Sequence, residues 1–100
     1  MRIPSQITRI MDGSFEGTNA TRVILPRNVH TICSRAFADM PNLETIIMYD
    51  GITFIEDDAF DGTNIKTIVY VTDDYYRNTY VLNWAETHNI WFYSLFTGNG

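Results

Sequence analysis

The residues of this chain whose chemistry could reach beyond packing are two histidines, His30 and His88, one cysteine, Cys33, and the acidic run Glu56-Asp57-Asp58 with Asp61. Nucleophilic catalysis needs a base held beside its serine or cysteine. Cys33 follows His30 closely, but His30 falls between the core-type positions Val29 and Ile32 and is expected to point outward, so the two do not read as a dyad. A single cysteine excludes an intrachain disulfide and supplies too few thiolates for a cysteine zinc site; Cys33 reads as a small packed residue. The acidic run lacks the Asp-x-Asn/Asp-x-Asn/Asp-Gly spacing that wraps a loop around calcium, and it reads as a solvated edge. No catalytic, metal-ligating or cofactor-binding set is expected, and the chain reads as non-enzymatic.

What remains is surface, and the elements that would present it repeat. Phe15-Glu16-Gly17-Thr18-Asn19 returns as Phe60-Asp61-Gly62-Thr63-Asn64, and Phe37 lies 22 residues from the first phenylalanine and 23 from the second. Ile7, Ile10, Phe15, Ala20, Val23 and Leu25 align with Val29, Ile32, Phe37, Leu43, Ile46 and Met48, then with Ile52, Ile55, Phe60, Ile65, Ile68 and Tyr70. A fixed apolar period of this length marks a solenoid, in which one repeat cannot bury its apolar face alone. Each turn carries a short Ile-x-x-Ile step (7–10, 29–32, 52–55) and a β-branched run (22–25, 45–49, 67–71) with alternation, so two parallel ladders are expected. Ser14-Phe15, Ala36-Phe37 and Ala59-Phe60 fit a tight turn that drops one ring per repeat into the core. Asn19, Asn42 and Asn64 are expected to form a column that satisfies turn backbone groups.

The stretches IPSQITRIMDGSFEGTNATRVIL, LPRNVHTICSRAFADMPNLETIIM and YDGITFIEDDAFDGTNIKTIVY carry V/I-x-x-I, a small residue before Phe, and N-L-x-x-I at fixed spacing. In this the chain resembles the BspA-like leucine-rich repeats over about residues 3 to 72. The resemblance implies a right-handed leucine-rich-repeat solenoid, β-rich with short helical turns, closed by a C-terminal capping helix and strand. The expected division is one domain over 1–100, with repeats at about 3–25, 26–48 and 49–71, a cap at 72–96 and a frayed tail at 97–100. Within the cap, Asp73 or Asp74 is the expected helix N-cap, and Tyr76, Tyr80 and Trp84 share one face. His88-Asn89 would end the helix before a strand from Ile90 to Phe96 that pairs with the last repeat. The resemblance also implies roles in binding, since such repeats are common in bacterial and protist surface proteins and occur in phage proteins.

If Val23 and Leu25 point in, Arg22 and Ile24 point out, followed by Thr45 and Ile47, then Thr67 and Val69, with Pro26, Tyr49 and Val71 one step further. An apolar outer ladder of this kind is a candidate contact surface. Trp91 and Tyr93, on the opposite parity to Phe92, add aromatic side chains suited to a protein partner or to stacking on a sugar ring. The partner-binding candidates are thus Arg22, Ile24, Thr45, Ile47, Tyr49, Val69, Val71, Trp91 and Tyr93. Charge narrows the partners. The net charge of −5 disfavours nucleic acid, and no run approaches the ~20 apolar residues of a membrane span. With no apolar leader either, the chain reads as unexported, cytoplasmic or virion-associated. Residues 1–35 hold five arginines against Asp12 and Glu16, while 36–100 hold ten acids against Lys66 and Arg77, or about +3 and −8. The expected function is a binding or assembly module for a protein partner or surface glycan. The alternative is a structural subunit, for example of a phage virion, docked through an uncapped N-terminal face.

Overall fold

Short β-branched steps separated by tight turns cannot form a sheet singly, so strands persist here by stacking on their copies. The computed structural model describes residues 2–73 and 79–97. One parallel sheet is built from the Ile-x-x-Ile steps: β1 (Arg9–Ile10), β3 (Thr31–Ile32) and β5 (Phe54–Ile55), in the order β1-β3-β5. The second holds β2 (Arg22–Ile24), β4 (Thr45–Tyr49), β6 (Thr67–Thr72) and β7 (Trp91–Phe96), also parallel, in the order β2-β4-β6-β7. Register is kept from rung to rung, Arg22 beside Thr45, Thr67 and Trp91, and Ile24 beside Ile47, Val69 and Tyr93. The expected β-rich repeat solenoid with two parallel ladders is thus the observed one. One further bridge, Arg2 to Ile24, starts another rung at the N-terminal end and brings Ile3 into the core.

The core lies between the two sheets, where Val23, Ile46 and Ile68 on one side meet Ile10, Ile32 and Ile55 on the other. Along it runs a stack of rings. Phe15 and Phe37 lie 5.5 Å apart and nearly parallel, Phe37 and Phe60 5.3 Å apart, and Trp84 meets Phe60 edge-on at 5.7 Å. The backbone of the turn holds the stack in step, since the Phe15 amide donates to Ala36 and that of Phe37 to Ala59, both at 2.9 Å. Gly17, Asp39 and Gly62 occupy one left-handed position after the rings, at φ of 79°, 52° and 76°. The asparagine column is only partly functional: among the described residues, Asn64 alone of the three makes a side-chain hydrogen bond, to the Pro41 carbonyl. The turn is fastened instead by Thr18 and Thr63, whose hydroxyls donate to the carbonyls of Phe15 and Phe60. In the longer middle turn this position is Met40, which is buried.

The cap differs from expectation at its start. Its helix, α1 (Tyr80–Thr87), has Thr79 at the N-cap with no side-chain capping bond and no acid in its first turn. Asp73 is not the cap because β6 runs through Thr72, which is held extended when its carbonyl accepts the Thr97 amide at 2.8 Å. Asp74 and Tyr76 lie outside the described residues, as does the tail beyond Thr97. The end of α1 is as expected: Asn89 turns left-handed at φ 58°, and the amides of Asn89 and Ile90 donate to Glu86 and Ala85. These two bonds form a Schellman closure, which satisfies carbonyls a helix end would otherwise leave orphaned.

Candidate functional site

Tyr80 and Trp84 on α1 do what a further strand would do for β5. The Ile55 amide donates to the Tyr80 hydroxyl at 2.9 Å, and the Trp84 indole N–H donates to the Ile55 carbonyl at 3.1 Å. The edge of the small sheet is therefore satisfied by side chains. On the large sheet β7 is the last strand among the described residues. Its six residues include no charge and no proline, and five of them are exposed. Two faces of this strand have different neighbours. Phe92 packs on Tyr70 at 5.6 Å, whereas Trp91, Tyr93 and Leu95 face away from the core, 72%, 53% and 42% exposed.

These three continue the outward ladder of the sheet. Ile24, Ile47 and Val69 form one column beside Tyr93, each half-buried, and Arg22, Thr45 and Thr67 form another beside Trp91, with Arg22 exposed. The third column departs from expectation. Val71 is only 8% exposed, because it sits between Tyr49 and Leu95 in the same register and both neighbours cover it. It belongs to the floor of the surface, and Leu95, absent from the sequence-based set, supplies its exposed apolar area. The signal was present: Leu95 has the parity of Trp91 and Tyr93. Tyr49 also carries the Arg27 guanidinium, 4.6 Å over its ring, a cation–π contact. Beside it, Arg2, Ile24, Pro26 and Arg27 line an open cleft at the N-terminal end of the sheet.

Groups with chemical potential are scattered and structurally occupied. His30 is exposed with Nδ1 2.8 Å from the Thr31 hydroxyl, and Cys33 is buried, as expected of each. The His88 ring stacks on Trp84 at 3.7 Å, its Nδ1 donates to the Trp84 carbonyl at 2.7 Å, and Nε2 lies 3.6 Å from Asp57. Asp58 accepts from the Ser34 hydroxyl at 2.9 Å and from the Arg35 amide, tying the third turn to the second. Arg35 is raised above the ordinary guanidinium value, first by its side-chain hydrogen bond to Glu16 and then by the charge of Glu16, with smaller contributions from Asp39 and Asp61. This is an exposed network along the turns. Among the described residues, no group of three or more His, Cys, Asp or Glu side chains is placed to hold a metal ion. No described helix is long and apolar enough to cross a membrane.

The arrangement offers a continuous apolar and aromatic face that ends, among the described residues, in strand β7, with basic groups at the other end. A family model described as BspA type leucine rich repeat region, with 6 copies, matches residues 1–87. Comparison with curated proteins and with solved structures gave no match.

Proposed function

The chain belongs to the BspA-type leucine-rich repeat family, whose solenoids generally serve protein interaction, and from that membership we propose a non-catalytic binding and assembly module. Its partner is a protein, engaged through the outward face of the large sheet and the edge strand β7. One observation carries this reading: Trp91, Tyr93 and Leu95 stand exposed in one row, continuous with the half-buried ladder of Ile24, Ile47 and Val69. Large aromatics in a row of this kind are the typical anchors of an interface, since they bury much area for few rotors. Arg22, Thr45 and Tyr49 would border the contact, with Val71 beneath it. Glycan binding draws support from the exposed Trp91 and Tyr93 alone. The protein reading also uses Leu95 and the position of β7 as the outermost described strand, and we therefore prefer it.

The test is site-specific photo-crosslinking in the source cell. A crosslinker at position 93 or 47 is expected to yield one defined protein adduct, whereas one at Asn19, exposed on the turn face, is expected to yield none. Equal adducts from position 19 would remove the assignment to this face.

A further inference from the structure

We propose that a second copy of this chain docks head to tail on the first, the N-terminal turn of one copy against the C-terminal end of the next. This deepens the assembly reading above and rests on it. Charge complementarity is the first argument. Arg2 and Arg9 are exposed at the outermost N-terminal positions of the two sheets, and Arg27 shares the cleft with Arg2. At the other end Asp57, Asp73 and Glu86 are exposed. The two ends of one copy thus attract across copies and repel when like meets like.

Strand continuity is the second. Arg2, Ile24, Ile47, Val69 and Tyr93 are successive rungs of one parallel ladder, and β7 is its outermost strand among the described residues. The rung after Tyr93 is the place that Arg2 of a second copy would take. A guanidinium arriving beside the exposed Tyr93 ring would repeat the contact that Arg27 already makes with Tyr49. An uncharged edge strand without proline is the kind that accepts another strand. Pairing of β7 with β7 across a twofold axis would use the same edge but bring the two acidic ends together. We therefore assign the edge to the N-terminal turn.

Sedimentation of the full chain at about 50 mM and about 500 mM salt tests this. The average mass is expected to rise above 11.6 kDa with concentration at low salt and to return towards it at high salt. Two double variants separate the faces. Arg2→Gln with Arg9→Gln, and Asp57→Asn with Glu86→Gln, should each self-associate roughly tenfold more weakly, while their equimolar mixture forms 1:1 dimers that grow no further. Twofold pairing through β7 would leave the arginine variant unchanged and tighten the acid variant, and that result overturns the proposal. So does a wild type at monomer mass at every concentration. If that monomer still crosslinks a different protein from position 93, the binding reading survives the loss of this one.

Discussion

Replacing Phe37 by alanine removes the middle ring of the stack, and the structure sets the size of the loss. Phe37 is fully buried, and its ring is stacked on both sides, against Phe15 at 5.5 Å and Phe60 at 5.3 Å. Truncating a buried phenylalanine costs about 3–5 kcal/mol, the larger figure where the surroundings cannot collapse. Here they are held apart, since the amides of Phe15 and Phe37 are tied to the next turn and fix the spacing of the rings. Each ring pair adds about 0.5–1.5 kcal/mol beyond area burial. The expectation is a loss near the top of the range, about 4–5 kcal/mol, out of a total of about 5–15 for a domain of this size. Phe15→Ala supplies the control: its ring is half-buried and stacked on one side only, so about half that loss is expected. Urea unfolding of the three proteins measures both, provided the slope m stays constant. If Phe37→Ala costs no more than Phe15→Ala, the stack is not a cooperative core and the reasoning fails.

Further expectations concern the turn, the cap and the face. Gly17 and Gly62 share a left-handed backbone, but a Cβ at Gly62 would collide with the Asp39 carboxylate, while one at Gly17 meets nothing within 4 Å. Gly17→Ala should therefore cost about 1–2 kcal/mol and Gly62→Ala more, with the excess removed by adding Asp39→Ala; equal costs in urea titrations would show that the collision is relieved elsewhere. Trp84→Phe deletes the indole donor to the Ile55 carbonyl, which keeps only the longer bond from the Tyr80 hydroxyl at 3.3 Å, and should cost about 0.5–1.5 kcal/mol. Faster amide exchange confined to β5 and α1 would mark the loss as local. Ile47→Asp, at a half-buried outward position, should leave the circular dichroism spectrum native and abolish the crosslink from position 93. Global unfolding of that variant would mean that the outward parity is wrong.

The scaffold was readable in the sequence because a solenoid writes its core as a period. The inward strand positions Val23, Ile46 and Ile68 and the rings Phe37 and Phe60 follow from spacing, since each repeat must bury the same side of the same strand. What escaped were features decided by neighbours across turns. Val71 has outward parity, yet Tyr49 and Leu95 on adjacent rungs enclose it, and alternation along one strand holds no information about that. The start of α1 was misjudged for a similar reason: an acidic pair looks like a cap locally, whereas the bond from Thr97 to Thr72 keeps the chain extended up to Asp73. The turn asparagines look equivalent, but among the described residues Asn64 alone of the three bonds a carbonyl of the previous turn, while the threonines beside them fasten two of the three turns. The candidate face was legible in its strand positions and incomplete at Leu95, whose role needed its register with Val71.

The two sheets stop in different ways, and the difference governs how such an array can change length. On the small sheet, a phenol and an indole already occupy the ladder bonds of Ile55, and the ring of Trp84 sits edge-on where another stacked phenylalanine would begin. A repeat appended after the cap would find no template there. Lengthening by recombination or by design must therefore insert a whole unit of 22 or 23 residues upstream of Phe60, between existing turns that present matching surfaces on both sides. The cap would travel unchanged at the end, which makes it a reusable terminator for arrays of any number of turns.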